Sequence, residues 1–176
     1  VRRFTASGVT DTTFGSGGTA MVNSTIFTGN LTAMALQPDG KILLVSNPWG
    51  LPQATVARLK TNGAIDTSFG NKGFSGVYFR GISTFQALSL ALQSTGKIIV
   101  GGYAISGGAA SDFALSRLTS TGSIDRQFGN QGIATLDFFG QSDLVKSITI
   151  APDDSIVAAG MVVGAAGTYA SQNTGL

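Results

Sequence analysis

Arg58-Leu59-Lys60-Thr61-Asn62-Gly63-Ala64-Ile65-Asp66-Thr67-Ser68-Phe69-Gly70-Asn71-Lys72-Gly73 is one of three copies of a single pattern. The others run from Arg3 to Gly18 and from Arg117 to Gly132. Each copy sets Gly five residues after Arg, Asp eight after, Phe-Gly eleven and twelve after, and a last Gly fifteen after. Such self-similarity means an array of supersecondary units, each unable to bury its apolar face alone. The landmarks Asp11, Asp66 and Asp125 give periods of 55 and 59 residues.

Outward from the quoted copy, each unit has the same order of elements. Ala33-Met34-Ala35-Leu36 reads as a strand. Gln37-Pro38-Asp39-Gly40-Lys41 follows as a tight turn, with Pro presetting φ and Gly taking the left-handed position. Ile42 to Val45 is an unbroken apolar run, as expected of a strand covered on both faces. Thr55 to Leu59 and Gly76 to Phe79 supply a third and fourth strand. The order recurs in Leu88–Leu92, Ile98–Val100, Phe113–Leu118 and Ile133–Phe138, and begins again in Ser147–Ile150 and Ile156–Ala159. Upstream, Val1 to Phe4 reads as the middle of a strand and Thr19 to Val22 as a short one. Four short antiparallel strands per repeat predict an all-β chain of the β-propeller type, with about three four-stranded blades. The expected division is a single array over 1–176: a partial blade 1–31, blades 32–86 and 87–143, and a partial blade 144–176. On this reading the chain is cut inside a blade. Tyr169 aligns with Phe113, whereas Ser171 to Leu176 matches that strand poorly.

Ala-Leu-Gln-Pro-Asp-Gly-Lys-Ile at 35–42, followed by Arg-Leu-x-x-x-Gly-x-x-Asp-x-x-Phe-Gly-x-x-Gly at 58–73, resembles the delta-60 repeat, a bacterial β-propeller-like repeat. The resemblance covers nearly the whole chain. It departs at Ser94-Thr95 and Asp154-Ser155, where the Pro-Asp-Gly-Lys turn is altered, and in the tail. It implies the propeller fold and a secreted or cell-surface setting, and no activity.

Composition removes several chemistries. The 176 residues include no His, Cys or Glu. The commonest general bases, metal ligands and thiolate nucleophiles are therefore missing. No catalytic residue, metal site or cofactor is expected, and the chain is not expected to be an enzyme. The net charge of +2 comes from 11 cations against 9 carboxylates with no cluster of either, which argues against nucleic acid. No apolar run approaches the roughly 20 residues of a membrane span. The chain opens at Val1 without Met or a leader pattern, as expected of a mature or excised segment.

The repeated residues admit two readings each. Asp11, Asp66 and Asp125 could ring a pore, or each could cap a short helical turn by accepting from a backbone N–H. Phe14, Phe69 and Phe128 could form an aromatic box, or act as wedges between adjacent blades. Arg3, Arg58 and Arg117 could bind an anion, or pair with the loop Asp or with buried carbonyls of their own blade. In each case the structural reading is preferred, because a residue present in every unit answers that unit's own needs. Asn23 and Asn30 match a glycosylation pattern of little weight in so Ser- and Thr-rich a chain.

Function is then expected where the units differ. The loop Asn47-Pro48-Trp49-Gly50-Leu51-Pro52 carries the sole tryptophan. Trp49 and Asn47 are the candidate ligand-binding residues, with Trp49 either stacking on a sugar or folding down onto neighbouring apolar groups. The expected role is a non-enzymatic interaction scaffold, extracellular or on a bacterial surface, with carbohydrate binding as the alternative. The expected partner is a second copy of the chain or the rest of a longer propeller, with a glycan as a further candidate.

Overall fold

The computed structural model describes residues 1–108, 110–163 and, for the backbone only, 169–170. All its regular structure is strand, in three antiparallel sheets. The first holds β1 (Asn30–Leu36), β2 (Ile42–Asn47), β3 (Ala54–Leu59) and β4 (Phe74–Val77), paired in chain order. The second holds β5 (Thr84–Leu92), β6 (Ile98–Ile105), β7 (Asp112–Leu118) and β8 (Ile133–Leu136), in the same order. The third pairs β9 (Ser142–Ile150) with β10 (Ile156–Val163), and β10 with β11 (Tyr169–Ala170). The order and sense of pairing are those of the predicted blade. Ser171 to Leu176 lie outside the described residues.

The elements differ from their expected bounds in a repeated way. First strands reach further upstream, so Thr84–Gln86 and Ser142–Asp143 open their sheets rather than close the preceding ones. Fourth strands are short, ending at Val77 and Leu136. Each first strand is bulged at the same place: Thr32, Leu88 and Lys146 are the extra residues. A bulge bends the strand and increases its local twist. One expectation fails. Val1–Phe4 and Thr19–Val22 form no strands, only single bridges such as Arg2 to Thr19. Two strands without a third beside them are marginal.

The sheets stack face to face, and the core is a series of layers between them. Leu43, Val45 and Val56 of the first sheet meet Phe85, Ala87 and Ile98 of the second. Ile99 and Leu115, on the second sheet's other face, meet Val145 and Ile148 of the third. The near face of the first sheet packs Ile42, Leu44 and Leu59 against Phe14 and Ala20 of the N-terminal segment. This explains the continuous apolar runs, since both faces of the inner strands are covered.

The two outer faces of the stack are not covered in this way. Met34, Leu90 and Ile148 occupy equivalent first-strand positions, yet their exposures are 60%, 9% and 8%. Leu43, Ile99 and Val157 are equivalent in the second strands and are 0%, 0% and 38% exposed. The same apolar position is thus buried between sheets and bare at either end.

Candidate functional site

The repeated stretch forms the joint between sheets. In the second copy, Asp66 accepts at Oδ2 from Arg58 Nε at 2.9 Å, and at Oδ1 from the Ser68 N–H and hydroxyl. Arg58 Nη1 donates to the Ser120 carbonyl of the next sheet at 2.8 Å, and its guanidinium lies 4.6 Å from the Phe69 ring centre. The first copy repeats every contact: Arg3 binds Asp11 and the Thr61 carbonyl, and covers Phe14. In the third, Arg117 binds Asp125 and covers Phe128.

This corrects the expected partner of the arginines. The acid is the loop Asp, but the carbonyls belong to the following sheet rather than to Arg's own. Arg3 and Arg58 therefore each fix both the loop that carries the Asp and the position of the neighbouring unit. The capping also differs in detail, since each Asp caps a turn and not a helical one.

The phenylalanines complete the joint. Phe14 and Phe69 are fully buried. A Cβ on Gly63 would stand 3.0 Å from the Phe14 ring, and one on Gly122 would stand 2.8 Å from the Phe69 ring. Gly63 and Gly122 are thus the floors on which Phe14 and Phe69 of the preceding copies lie. Gly15 and Gly70 N–H groups add bonds to the Asn62 and Thr121 carbonyls across the same boundary.

The electrostatics of the joint serve the fold. Burial pushes the Asp66 carboxyl up, but the Ser68 bonds and the Arg58 charge outweigh it and hold it below its ordinary value. Lys97, at 3.0 Å, is the main cause of the depressed Asp125 value. Carboxylates held ionised and hydrogen-bonded by Arg are poor proton carriers near neutral pH. Among the described residues, no group of three or more acidic side chains could hold a metal ion.

The two loop candidates part company. Trp49 is 76% exposed, so it does not fold onto its neighbours. Asn47 instead reaches into the next sheet. Its Nδ2 donates to the Ala87 carbonyl at 2.8 Å, and its Oδ1 accepts the Ala87 N–H at 2.9 Å. Ala87 sits at the bulge of β5, where a strand leaves backbone groups unpaired, so the amide replaces a missing partner.

Two further features escape the repeat pattern. Asp143 stands where Phe85 stands in the preceding unit, and is fully buried. Its Oδ2 accepts the Phe138 N–H, while its Oδ1 has no partner. Burial pushes its carboxyl up, with the neighbouring Asp137 and Asp112 charges adding to the shift. A polar residue at an apolar repeat position was the available signal. Secondly, a cleft of about 890 Å³ lies between the outer strands β4 and β8, rimmed by Tyr78, Arg80, Asn71, Arg126 and Gln131.

With this geometry in view, the chain is similar over residues 37–69 and 93–128 to a family described as a domain of unknown function (DUF5122), beta-propeller. The matched stretches run through the hairpin of each complete sheet to the Asp-x-x-Phe motif of its joint. No curated protein matches the chain. The molecule is an all-β repeat protein with the blade order of a β-propeller.

Proposed function

We propose that this chain is a section of a β-propeller that acts as a non-enzymatic binding scaffold, completed by further blades from a second copy or from a longer chain. The observation that carries the reading is the uncovered apolar position at each end of the stack. Met34 is exposed where Leu90 and Ile148 are buried, and Val157 is exposed where Leu43 and Ile99 are buried. Burying a Leu- or Met-sized side chain stabilises by about 1.5–3 kcal/mol, so bare faces of this kind favour association. The two ends are complementary, because each presents the face that its neighbour covers inside the stack. A head-to-tail contact between copies would repeat the contact already made between sheets. The resemblance to bacterial surface repeats supports an extracellular or cell-surface setting.

Sedimentation equilibrium of the purified chain tests the assembly. The expected result is a species heavier than the 17.9 kDa chain, shifted towards the monomer by Met34→Asp with Leu36→Asp. A well-folded, monodisperse monomer at high concentration overturns it.

A second reading, carbohydrate binding, is favoured by the exposure of Trp49. An indole ring held out between Pro48 and Pro52 suits stacking on a sugar face. A glycan array probed with wild type and Trp49→Ala separates the two readings, since the scaffold reading expects no glycan signal that depends on Trp49.

A further inference from the structure

The cleft between β4 and β8 has a charge pattern that the fold does not require. Arg80 and Arg126 both line it, and no Asp lies among its lining residues. Neither guanidinium forms a salt bridge or a side-chain hydrogen bond among the described residues, in contrast to Arg3, Arg58 and Arg117. Neither belongs to the repeat. Arg126 follows the joint Asp where Thr12 and Thr67 stand in the other copies. Arg80 lies within Phe79-Arg80-Gly81, where the other units have Phe27-Thr28-Gly29 and Phe138-Phe139-Gly140. Two unpaired cations at non-repeating positions thus converge on one cleft.

Arg126 stands on the β7–β8 connection and Arg80 just beyond the end of β4, so the two cations reach the cleft from neighbouring sheets. The lining also carries amides of Asn71 and Gln131, the exposed Tyr78 ring, and an apolar floor that includes Phe79. Guanidinium forks match carboxylates, amides match hydroxyls, and an exposed phenol offers a stacking face. The volume is within the range of small-ligand sites.

We propose that this cleft binds a short acidic oligosaccharide, with Arg80 and Arg126 each taking a carboxylate. The proposal is independent of the assembly and does not use Trp49. Calorimetric titration of the full chain with trigalacturonate tests it, with maltotriose and an oligo-aspartate peptide as comparisons. Trigalacturonate is expected to bind, more weakly as salt is raised, and maltotriose is not. Arg126→Thr and Arg80→Thr, which restore residues used by other units, are each expected to weaken binding about tenfold. Trp49→Ala is expected to leave it unchanged. Both arginines are exposed and unpaired, so circular dichroism of the variants should match wild type. No heat with trigalacturonate, equal binding of maltotriose, or indifference to both Arg substitutions overturns the site. Equal or tighter binding of the peptide overturns the saccharide assignment.

Discussion

Ser94 and Asp154 bond to each other: the Ser94 N–H donates to Asp154 Oδ1 at 2.8 Å, and the Ser94 hydroxyl donates to Oδ2. These are the two places where the Pro-Asp-Gly-Lys turn is altered. Ser94 replaces a proline, which has no N–H to give, and Asp154 replaces a glycine, which has no carboxylate to receive it. The departures from the repeat are therefore one feature, a clamp between the second and third sheets. Asp154 holds the left-handed conformation of the glycine it replaces, at φ 67°.

A double-mutant cycle on this pair should show coupling. Asp154→Gly relieves the positive φ and restores the repeat turn, but removes both bonds. Ser94→Ala removes one bond and leaves the strained backbone. The expected outcome in urea denaturation is that the double variant is more stable than the sum of the single effects predicts. Additivity would mean that the clamp contributes nothing.

The joint arginines should differ in weight because their burial differs. Arg58→Ala leaves the buried Asp66 with only the more distant Lys41 ammonium, at 3.9 Å, and the Ser120 carbonyl without its donor, which should cost about 3 kcal/mol in denaturant unfolding. Arg58→Lys should recover only part of this, since one ammonium cannot replace a fork that reaches both groups. Arg3→Ala should cost much less. Its ion pair with Asp11 is open to solvent, where such pairs are weak. Equal losses at the two sites would refute the staple between sheets.

The glycine of each joint offers a matched comparison. Gly8 and Gly122 hold the same place in their copies and both have left-handed φ, at 82° and 91°. A methyl group at Gly8 meets nothing within 4 Å, whereas at Gly122 it meets the Phe69 ring at 2.8 Å. Both substitutions to Ala carry the backbone penalty of about 1–2 kcal/mol. Only Gly122→Ala adds overpacking, roughly 1–3 kcal/mol more. The difference between their melting shifts measures the wedge, and no difference would remove it.

The strand order was readable because hairpin turns and apolar runs are local signals that the repeat presents more than once. The Arg and Phe positions were equally visible, but their partners were not. A sequence shows that Arg58 and Asp66 recur eight residues apart. It does not show that the carbonyl on Arg58 Nη1 lies 62 residues away, across a sheet boundary. The partner of Asn47 was hidden for the same reason, since it is a backbone site at a bulge in another sheet. The N-terminal segment has the right residues for strands and lacks a third strand beside it. Arg80 and Arg126 line one cleft only through the stacking of two sheets, although comparison of the units would have marked both as exceptions.

Acid should act on the paired carboxylates and on Asp143 in opposite directions. Asp66 and Asp125 are held below their ordinary value in the folded chain. Their contribution is complete above the unfolded value near pH 4, and is lost as pH falls through the lower folded value. Asp143 is raised, chiefly by burial. Between its unfolded and folded values the native chain binds more protons than the unfolded one, so this group lowers stability as pH rises. Its Oδ1 lacks a donor and its site is apolar in the neighbouring unit, where Phe85 fills it. Asp143→Asn keeps an acceptor for the Phe138 N–H and removes the charge. At neutral pH it should stabilise the chain, because the charge that burial opposes is gone. The gain should shrink as pH falls through the raised folded value towards the unfolded one near 3.8, below which the wild-type carboxyl is protonated in both states. Urea denaturation of both proteins from pH 4 to 8 reads this directly. A stability difference independent of pH would mean that Asp143 is not a buried charge at all, and that its place in the third sheet is held by its hydrogen bonds alone.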